Sequence, residues 1–266
     1  MNSTSYFLRI KMKKLLTTVA IATLLATSAS ADFIRVEGAV GAWQTSPTGD
    51  VSFANNSFDI VDNAGLTDTT NMYAWVYLKH PIPVIPNVRL EYVDPTFDGK
   101  VAEITWDGDT YAQVNNTLSL TQYDAILYYN ILDNTLWMTV DLGLDIKYID
   151  GNYRIDASTV SGVTAPEVSQ DFSLAMPLAY VRGRVQIPIT NIGVEVLARG
   201  MSYSDNTVVD AEIKIDYTMD FVPIVQPGLE LGYRYQQVTL DASTIGVDAD
   251  FDTTFSGVYA GIMVRF

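Results

Sequence analysis

One imidazole and no thiol occur in the 266 residues. A histidine is the usual general base that activates a serine or a water, so such chemistry would have to run through His80. His80 directly precedes Pro81, at the head of the turn-like run Pro81–Pro86, and sits beside Lys79. That place reads as a polar residue at the end of an element rather than as a catalytic base. The absence of cysteine excludes a disulfide scaffold, thiolate metal sites and a cysteine nucleophile. Asp248, Asp250 and Asp252 put three carboxylates at alternate positions, a pattern of oxygen ligands that suits calcium. The run lacks the glycine and the closing glutamate of an EF-hand loop, and Asp107-Gly108-Asp109 is a weaker case. Both read as solvated surface charge. No residue is assigned to catalysis, to a cofactor or to a resident metal.

The remaining charges are informative because of the elements that carry them. Period-2 alternation dominates the chain. Between 209 and 219 the apolar set is Val209, Ala211, Ile213, Ile215, Tyr217 and Met219, and the other face holds Asp210, Glu212, Lys214 and Asp216. Between 136 and 148 the apolar set is Leu136, Met138, Val140, Leu142, Leu144, Ile146 and Tyr148, opposite Thr139, Asp141, Asp145 and Lys147. Similar strands read at about 33–43, 71–80, 87–97, 117–131, 172–187, 191–204, 228–240 and 254–266, ten in all. The fold class is all-β.

Connections alternate in kind. Short ones fall at Pro81–Pro86, Asp133-Asn134, Pro188–Asn191 and Phe221–Gly228, where proline and asparagine suit turns. Polar connections are expected at about 44–70, 98–116, 150–171 and 241–253, with a short one near Ser204–Asn206. Short turns at one end and long loops at the other describe an up-and-down antiparallel barrel that crosses a membrane with its strands.

The N-terminus fits that reading. Lys11, Lys13 and Lys14 precede an apolar run, and Ala29-Ser30-Ala31 has the form of a cleavage site, so residues 1–31 read as a secretory signal peptide with an N-terminal extension before Met12. Residues 32–266 would form the barrel. The first 31 residues hold four of the 16 basic residues and none of the 31 acids, leaving 12 bases and a net charge of −19. The segments 44–70, 94–116, 150–173 and 241–253 together with Asp205 carry −16 of that net charge. So acidic a chain repels phosphates and is not a nucleic-acid binder.

Strand charges must avoid lipid, where one costs about 2–4 kcal/mol at the midplane. Arg35, Arg89, Lys147, Arg182, Arg184, Arg199, Lys214, Arg234 and Arg265 lie in strands, and Glu37, Glu91, Asp141, Glu195 and Glu230 stand near the start of the five strands that leave the short-turn side. A lumen charge network is therefore expected, with Glu37, Glu91, Asp141, Glu195, Arg199, Glu230 and Arg265 as its members. Ile213, Ile215, Val258, Ile262 and Val264 should face lipid. Tyr73, Trp75, Tyr77, Tyr128, Tyr129, Trp137, Tyr180, Tyr203, Tyr217, Tyr233 and Tyr235 are expected as interfacial girdles.

The last strand alternates Val258, Ala260, Ile262, Val264 and Phe266 to a terminal aromatic. It looks like the strand by which the assembly machinery recognises outer-membrane barrels, with Phe266 as the assembly signal. Together with the signal peptide and Val36-Glu37-Gly38-Ala39-Val40-Gly41-Ala42-Trp43, it resembles the small Gram-negative outer-membrane β-barrel proteins, the broad group of OmpW-like and OmpA-transmembrane-like barrels. The resemblance implies a bacterial outer-membrane location and, as partners, outer-membrane lipid, lipopolysaccharide and the barrel assembly machinery. The expected role is a narrow passive channel for small or amphiphilic solutes, or a structural barrel. A surface interaction or adhesion protein with acidic loops is the alternative, with Phe53, Phe58 and Phe97 as candidate loop-tip aromatics. A barrel hydrolase is disfavoured by the place of His80.

Overall fold

The computed structural model describes residues 34–53, 56–82, 84–106, 109–160, 163–164, 168–219, 224–241 and 249–266. The signal-peptide reading and Asp107 and Asp248 of the candidate calcium runs lie outside these described residues. The long strands are β1 (Arg35–Phe53), β2 (Thr69–Lys79), β3 (Asn87–Val93, continuing as Thr96–Trp106), β4 (Asp109–Thr135) and β5 (Met138–Val160). They are followed by β6 (Val168–Gln186), β7 (Ile192–Tyr203), β8 (Asn206–Thr218), β9 (Gln226–Leu240) and β10 (Ala249–Arg265). Both segments of β3 pair with β4, across the break at Asp94 and Pro95.

Each strand pairs antiparallel with its sequence neighbours, and β1 also pairs with β10, from Glu37 opposite Arg265 to Phe53 opposite Ala249. The Phe266 amide donates to the Val36 carbonyl at 2.9 Å, which extends the seam to the chain end. The sheet is thus a closed ten-stranded antiparallel barrel, and closure satisfies the edge hydrogen bonds that hydrocarbon could not.

Several strands are longer than the alternation predicts. Residues 44–53, 98–106, 109–116 and 150–160, expected in polar loops, continue the strands instead. The turn expected at Asp133-Asn134 lies at Leu136 and Trp137, after register shifts at Asn130, Leu132 and Thr135. The 27 residues of β4 rise to about 70 Å, at about 3.3 Å per residue and a tilt of about 40°. That is far more than a bilayer's hydrocarbon core of about 30 Å.

The reason is a change of phase. On β5 the outward residues are apolar from Met138 through Leu142, Leu144 and Ile146 to Tyr148, then polar at Asp150, Asn152, Arg154 and Asp156. The inward residues do the opposite: Asp141, Asp145 and Lys147 give way to Ile149, Tyr153 and Ile155. The same inversion occurs on β6, where inward Arg184 and Arg182 are followed toward the far end by Leu178, Met176 and Leu174. On β9, outward Tyr235 is followed by Gln237 and Thr239, and inward Gln236 by Val238 and Leu240. The levels agree between neighbours, since Asp150 stands opposite both Thr121 and Ser173, and Gln44 opposite Thr70. Just below that level Tyr92, Tyr123 and Tyr148 stand side by side on adjacent strands, with ring centroids 5.3 and 6.4 Å apart. They form an outward aromatic girdle of the kind that marks a membrane boundary.

One continuous sheet therefore encloses two interiors. Where the wall faces lipid, the polar face of each strand must turn inward. Above the girdle the wall meets water, and the strands hold an ordinary apolar core. Phe97 stacks on Phe255 at 5.3 Å, and Phe172 packs on Phe251 at 5.1 Å. The segment after β1 folds into this upper interior. Residues Asn56–Asp59 pair back on β1, Phe58 packs on Tyr153 at 5.5 Å, and the Asn116 amide donates to the Ala64 carbonyl at 2.8 Å. Gly99 permits the close approach, because a Cβ there would lie 2.4 Å from the Ala64 oxygen. Phe58 and Phe97, expected at loop tips, are buried inside the barrel.

Candidate functional site

The membrane-level lumen is filled by a network of ionised side chains. Near the girdle, β7 projects Arg199 inward, and the alternation of that strand leaves it no choice, since Val196 and Ala198 belong to the opposite phase. Its Nε lies 3.2 Å from Asp210, its Nη1 3.3 Å from Asp124 and 3.6 Å from Asp145, and its Nη2 contacts Glu91 and, at 3.0 Å, Glu212. Glu91 belongs to β3 and Asp124 to β4, far around the barrel from β7, so these contacts cross the bore. Lys147 of β5 also crosses it, reaching Asp210 of β8 at 3.2 Å, and pairs with Asp124 of the neighbouring β4 at 2.7 Å. Arg234 fastens Asp210 with two hydrogen bonds, Nε to Oδ1 at 3.1 Å and Nη2 to Oδ2 at 2.7 Å. Above them Gln236 donates to Gln122 at 3.0 Å, closing the ionic layer beneath the apolar one.

A second layer centres on Glu195. It faces Arg182 at 2.6 Å, Lys214 at 3.3 Å, Arg89 at 3.5 Å and Arg184 at 3.6 Å. Arg182 reaches on to Asp141 at 2.7 Å, and Lys214 to Glu230 at 3.1 Å. Glu230 also accepts from the Tyr73 hydroxyl at 2.7 Å and the Trp75 indole at 3.0 Å. The lowest layer holds Arg265 between Glu37 at 3.1 Å and Asp216 at 2.9 Å, where Arg184 also binds Asp216. Aromatic faces complete the fill. Arg89 and Lys214 lie over Trp75 at 4.8 and 4.2 Å, Arg182 over Tyr77 at 4.7 Å and Arg234 over Trp43 at 5.3 Å. Each is a cation–π contact in a desolvated setting, where such contacts are strongest.

Among the described residues, nine buried carboxylates face eight buried cations, with Glu212 at the margin. Near-neutrality matters, because an unmatched buried charge costs several kcal/mol. Two small cavities lie among the described residues of the interior. A cavity of about 20 Å³ lies among Trp43, Trp75, Glu91 and Arg234, and one of about 30 Å³ lies in the apolar layer between Leu120, Ile149, Phe172 and Phe251. These volumes hold one or two water molecules.

All seven residues singled out in the sequence lie in this network. Glu37, Glu91, Asp141, Glu195, Arg199, Glu230 and Arg265 are buried, and each contacts an opposite charge. Sequence reasoning left out Asp124, Asp145, Asp210, Glu212 and Asp216, which stand further along the same polar faces. Their phase was the available signal. It also assigned Tyr73, Trp75, Tyr77, Tyr128 and Tyr180 to the girdles, whereas these rings are buried in the lumen. They share the inward phase with the charges and serve as their walls. Tyr129, Trp137, Tyr203, Tyr217, Tyr233 and Tyr235 are exposed on the outer surface.

His80 is held within its turn. The Ile82 amide donates to Nδ1 at 3.2 Å, and Nε2 lies 3.1 Å from the Pro86 carbonyl. Both ring nitrogens are thus engaged by backbone. No group of three or more potential metal ligands with site geometry occurs among the described residues, and Asp250 and Asp252 point outward from β10.

No family model matches the chain, and no curated protein matches it. Similar solved structures include Ail, the attachment invasion locus protein of Yersinia pestis, in complex with the heparin analogue sucrose octasulfate. It has 9% identity and a TM-score of 0.38 over 88% of this chain and 99% of that one. The outer membrane protease OmpT from Escherichia coli has 8% identity and a TM-score of 0.41 over 91% of this chain and 99% of that one. The outer membrane protein OprG from Pseudomonas aeruginosa has 11% identity and a TM-score of 0.32 over 88% of this chain and 95% of that one. The ten-stranded barrel rests on this chain's own strand pairing rather than on these likenesses.

Proposed function

We propose that the protein is an integral barrel of a bacterial outer membrane whose lumen is sealed, and whose role is structural: it holds a rigid acidic β-collar above the membrane. The supporting observation is the contact of Arg199 with carboxylates on the opposite wall, Glu91 and Asp124. A solute crossing at this level would have to break several buried ion pairs together, each costing about 3–5 kcal/mol to break. This favours the structural limb of the sequence reading over the passive channel, and small solutes are not expected to pass. The collar's outer face carries Asp50, Asp98, Asp150, Asp156, Asp171 and Asp252, the acids that the sequence reading gave to loops. An enzymatic role has no support from His80, whose ring nitrogens face backbone in an inner turn.

The proposed partners are outer-membrane lipid and lipopolysaccharide around the apolar belt, and the assembly machinery at the strand ending in Phe266. Single-channel recording of refolded protein in planar bilayers tests the sealed lumen. No discrete conductance steps are expected. Regular ion-conducting steps from purified protein would restore the channel reading.

A further inference from the structure

Among the described residues, four connections at the inner end of the barrel expose apolar side chains. The β2–β3 connection exposes Ile82 and Val84, β4–β5 exposes Leu136 and Trp137, β6–β7 exposes Ile189, and β8–β9 exposes Ile224. Val84 is 83% exposed, Leu136 76% and Ile189 fully exposed. Three of these residues are also held in left-handed backbone conformations, at φ of 52° for Leu136, 63° for Trp137 and 66° for Ile189. Such positions favour glycine or asparagine, and a β-branched residue there is strained. Neither exposure to water nor backbone preference accounts for these choices. At the outer end the two-residue connection between β7 and β8 is Ser204-Asp205, which has the polar composition that water calls for.

We infer that this rim is a lipid-contacting ring, inserted at the headgroup–acyl boundary of the inner leaflet. Two observations commit it to lipid rather than to a protein. First, exposed apolar residues occur on four successive inner connections, with the chain termini at the fifth station, so they encircle the barrel. A docked protein covers one side of a rim, whereas a leaflet surrounds it. Second, the tips are continuous with the lipid-facing belt. On β5 the outward face is apolar from Met138, next to the turn, up to Tyr148. Ten residues at about 3.3 Å and a tilt of about 40° span about 25 Å, the height of a barrel's apolar band. With its upper edge at the tyrosine girdle, the band ends at Leu136 and Trp137. Lys79, paired with Asp133, and Arg35 stand at the same rim, where a snorkelling cation meets lipid phosphate. The barrel then projects only outward.

This rests on the membrane reading of the belt, and the experiment separates the two. The chain has no cysteine, so single cysteines at Ile189, Val84, Leu136, Ile213 and Asp205 give unique sites for an environment-sensitive fluorophore. Labelled proteins are reconstituted into phosphatidylethanolamine–phosphatidylglycerol vesicles carrying a nitroxide near the top of the acyl chain. Labels at Ile189, Val84 and Leu136 should be quenched at least three-fold more strongly than the label at Asp205. Quenching at all three no greater than at Asp205, with the belt site Ile213 quenched, overturns the ring and leaves the membrane reading standing. Quenching at one turn alone also overturns it, in favour of a protein-docking patch. If Ile213 too is unquenched, the membrane reading fails with it.

Discussion

At the scale of the residue, the network is not uniform. Arg199 is the cation shared by the most carboxylates, and its loss leaves Asp124, Asp210, Glu91 and Glu212 facing one another with Lys147 and Arg234 only partly in place. Arg199→Met should lower stability by about 3–5 kcal/mol, the usual cost of orphaning a buried charge. Asp145 is the opposite case. Its oxygens accept no hydrogen bond among the described residues, its Arg199 contact is long at 3.6 Å, and it shares that nitrogen with Asp124. Asp145→Asn should change stability by no more than about 1 kcal/mol in either direction, because the lost attraction is offset by relief from a like charge. Urea midpoints in lipid vesicles compare the two. Similar large losses for both variants would mean that the carboxylates act through packing rather than through charge balance.

At the scale of the element, a strand's job changes along its length, and so should the price of a truncation. Leu144 is exposed on the belt of β5, while Ile155 of the same strand is buried in the collar. Ile155→Ala should cost about 2–5 kcal/mol as a core cavity. Leu144→Ala should cost less than about 1 kcal/mol, since lipid fills the space. Equal costs measured by urea unfolding would deny the phase inversion. This inversion also explains which parts of the fold were legible. Alternation located all ten strands, the two-sided pattern placed seven lumen charges, and the seam between first and last strand followed from closure. In the sequence the extensions of β1, β3, β4 and β5 resemble loops because their outward residues, such as Asp150 and Asn115, are polar. The signal was present in adjacent apolar residues such as Tyr148-Ile149, where the apolar phase crosses from one face to the other. The cross-lumen partners of Arg199 lay beyond reach, because period 2 assigns a face but not which strands face each other across a bore. The last strand carries a separate expectation. Phe266 closes the seam through its backbone, so deletion should cost little in the folded barrel but cut the yield of membrane-inserted, heat-modifiable protein severalfold. Equal yields with and without Phe266 would speak against recognition of the terminal aromatic.

At the scale of the whole molecule, the two stacked interiors make one object that is part membrane protein and part soluble barrel. The polar tier exists because lipid takes the apolar faces. The apolar tier exists because water takes the polar ones. Folding the Phe58 segment into the mouth completes the second core and hides it from water. Aqueous maleimide applied to single-cysteine variants in intact vesicles should map this order directly. Cysteines at Leu142 and Leu144 should be spared by lipid, and those at Asp150 and Arg154 should label fully, placing the boundary within a few residues of Tyr148. The deciding site is Tyr153. It lies above the membrane, yet it is buried against Phe58 and Asn116. A sealed collar leaves Tyr153→Cys unlabelled until the barrel is unfolded. A water-filled vestibule exposes it as readily as Arg154→Cys. Rapid labelling at 153 with sparing at 142 and 144 would therefore keep the membrane belt and remove the upper core, and with it the case for a structural, non-conducting barrel.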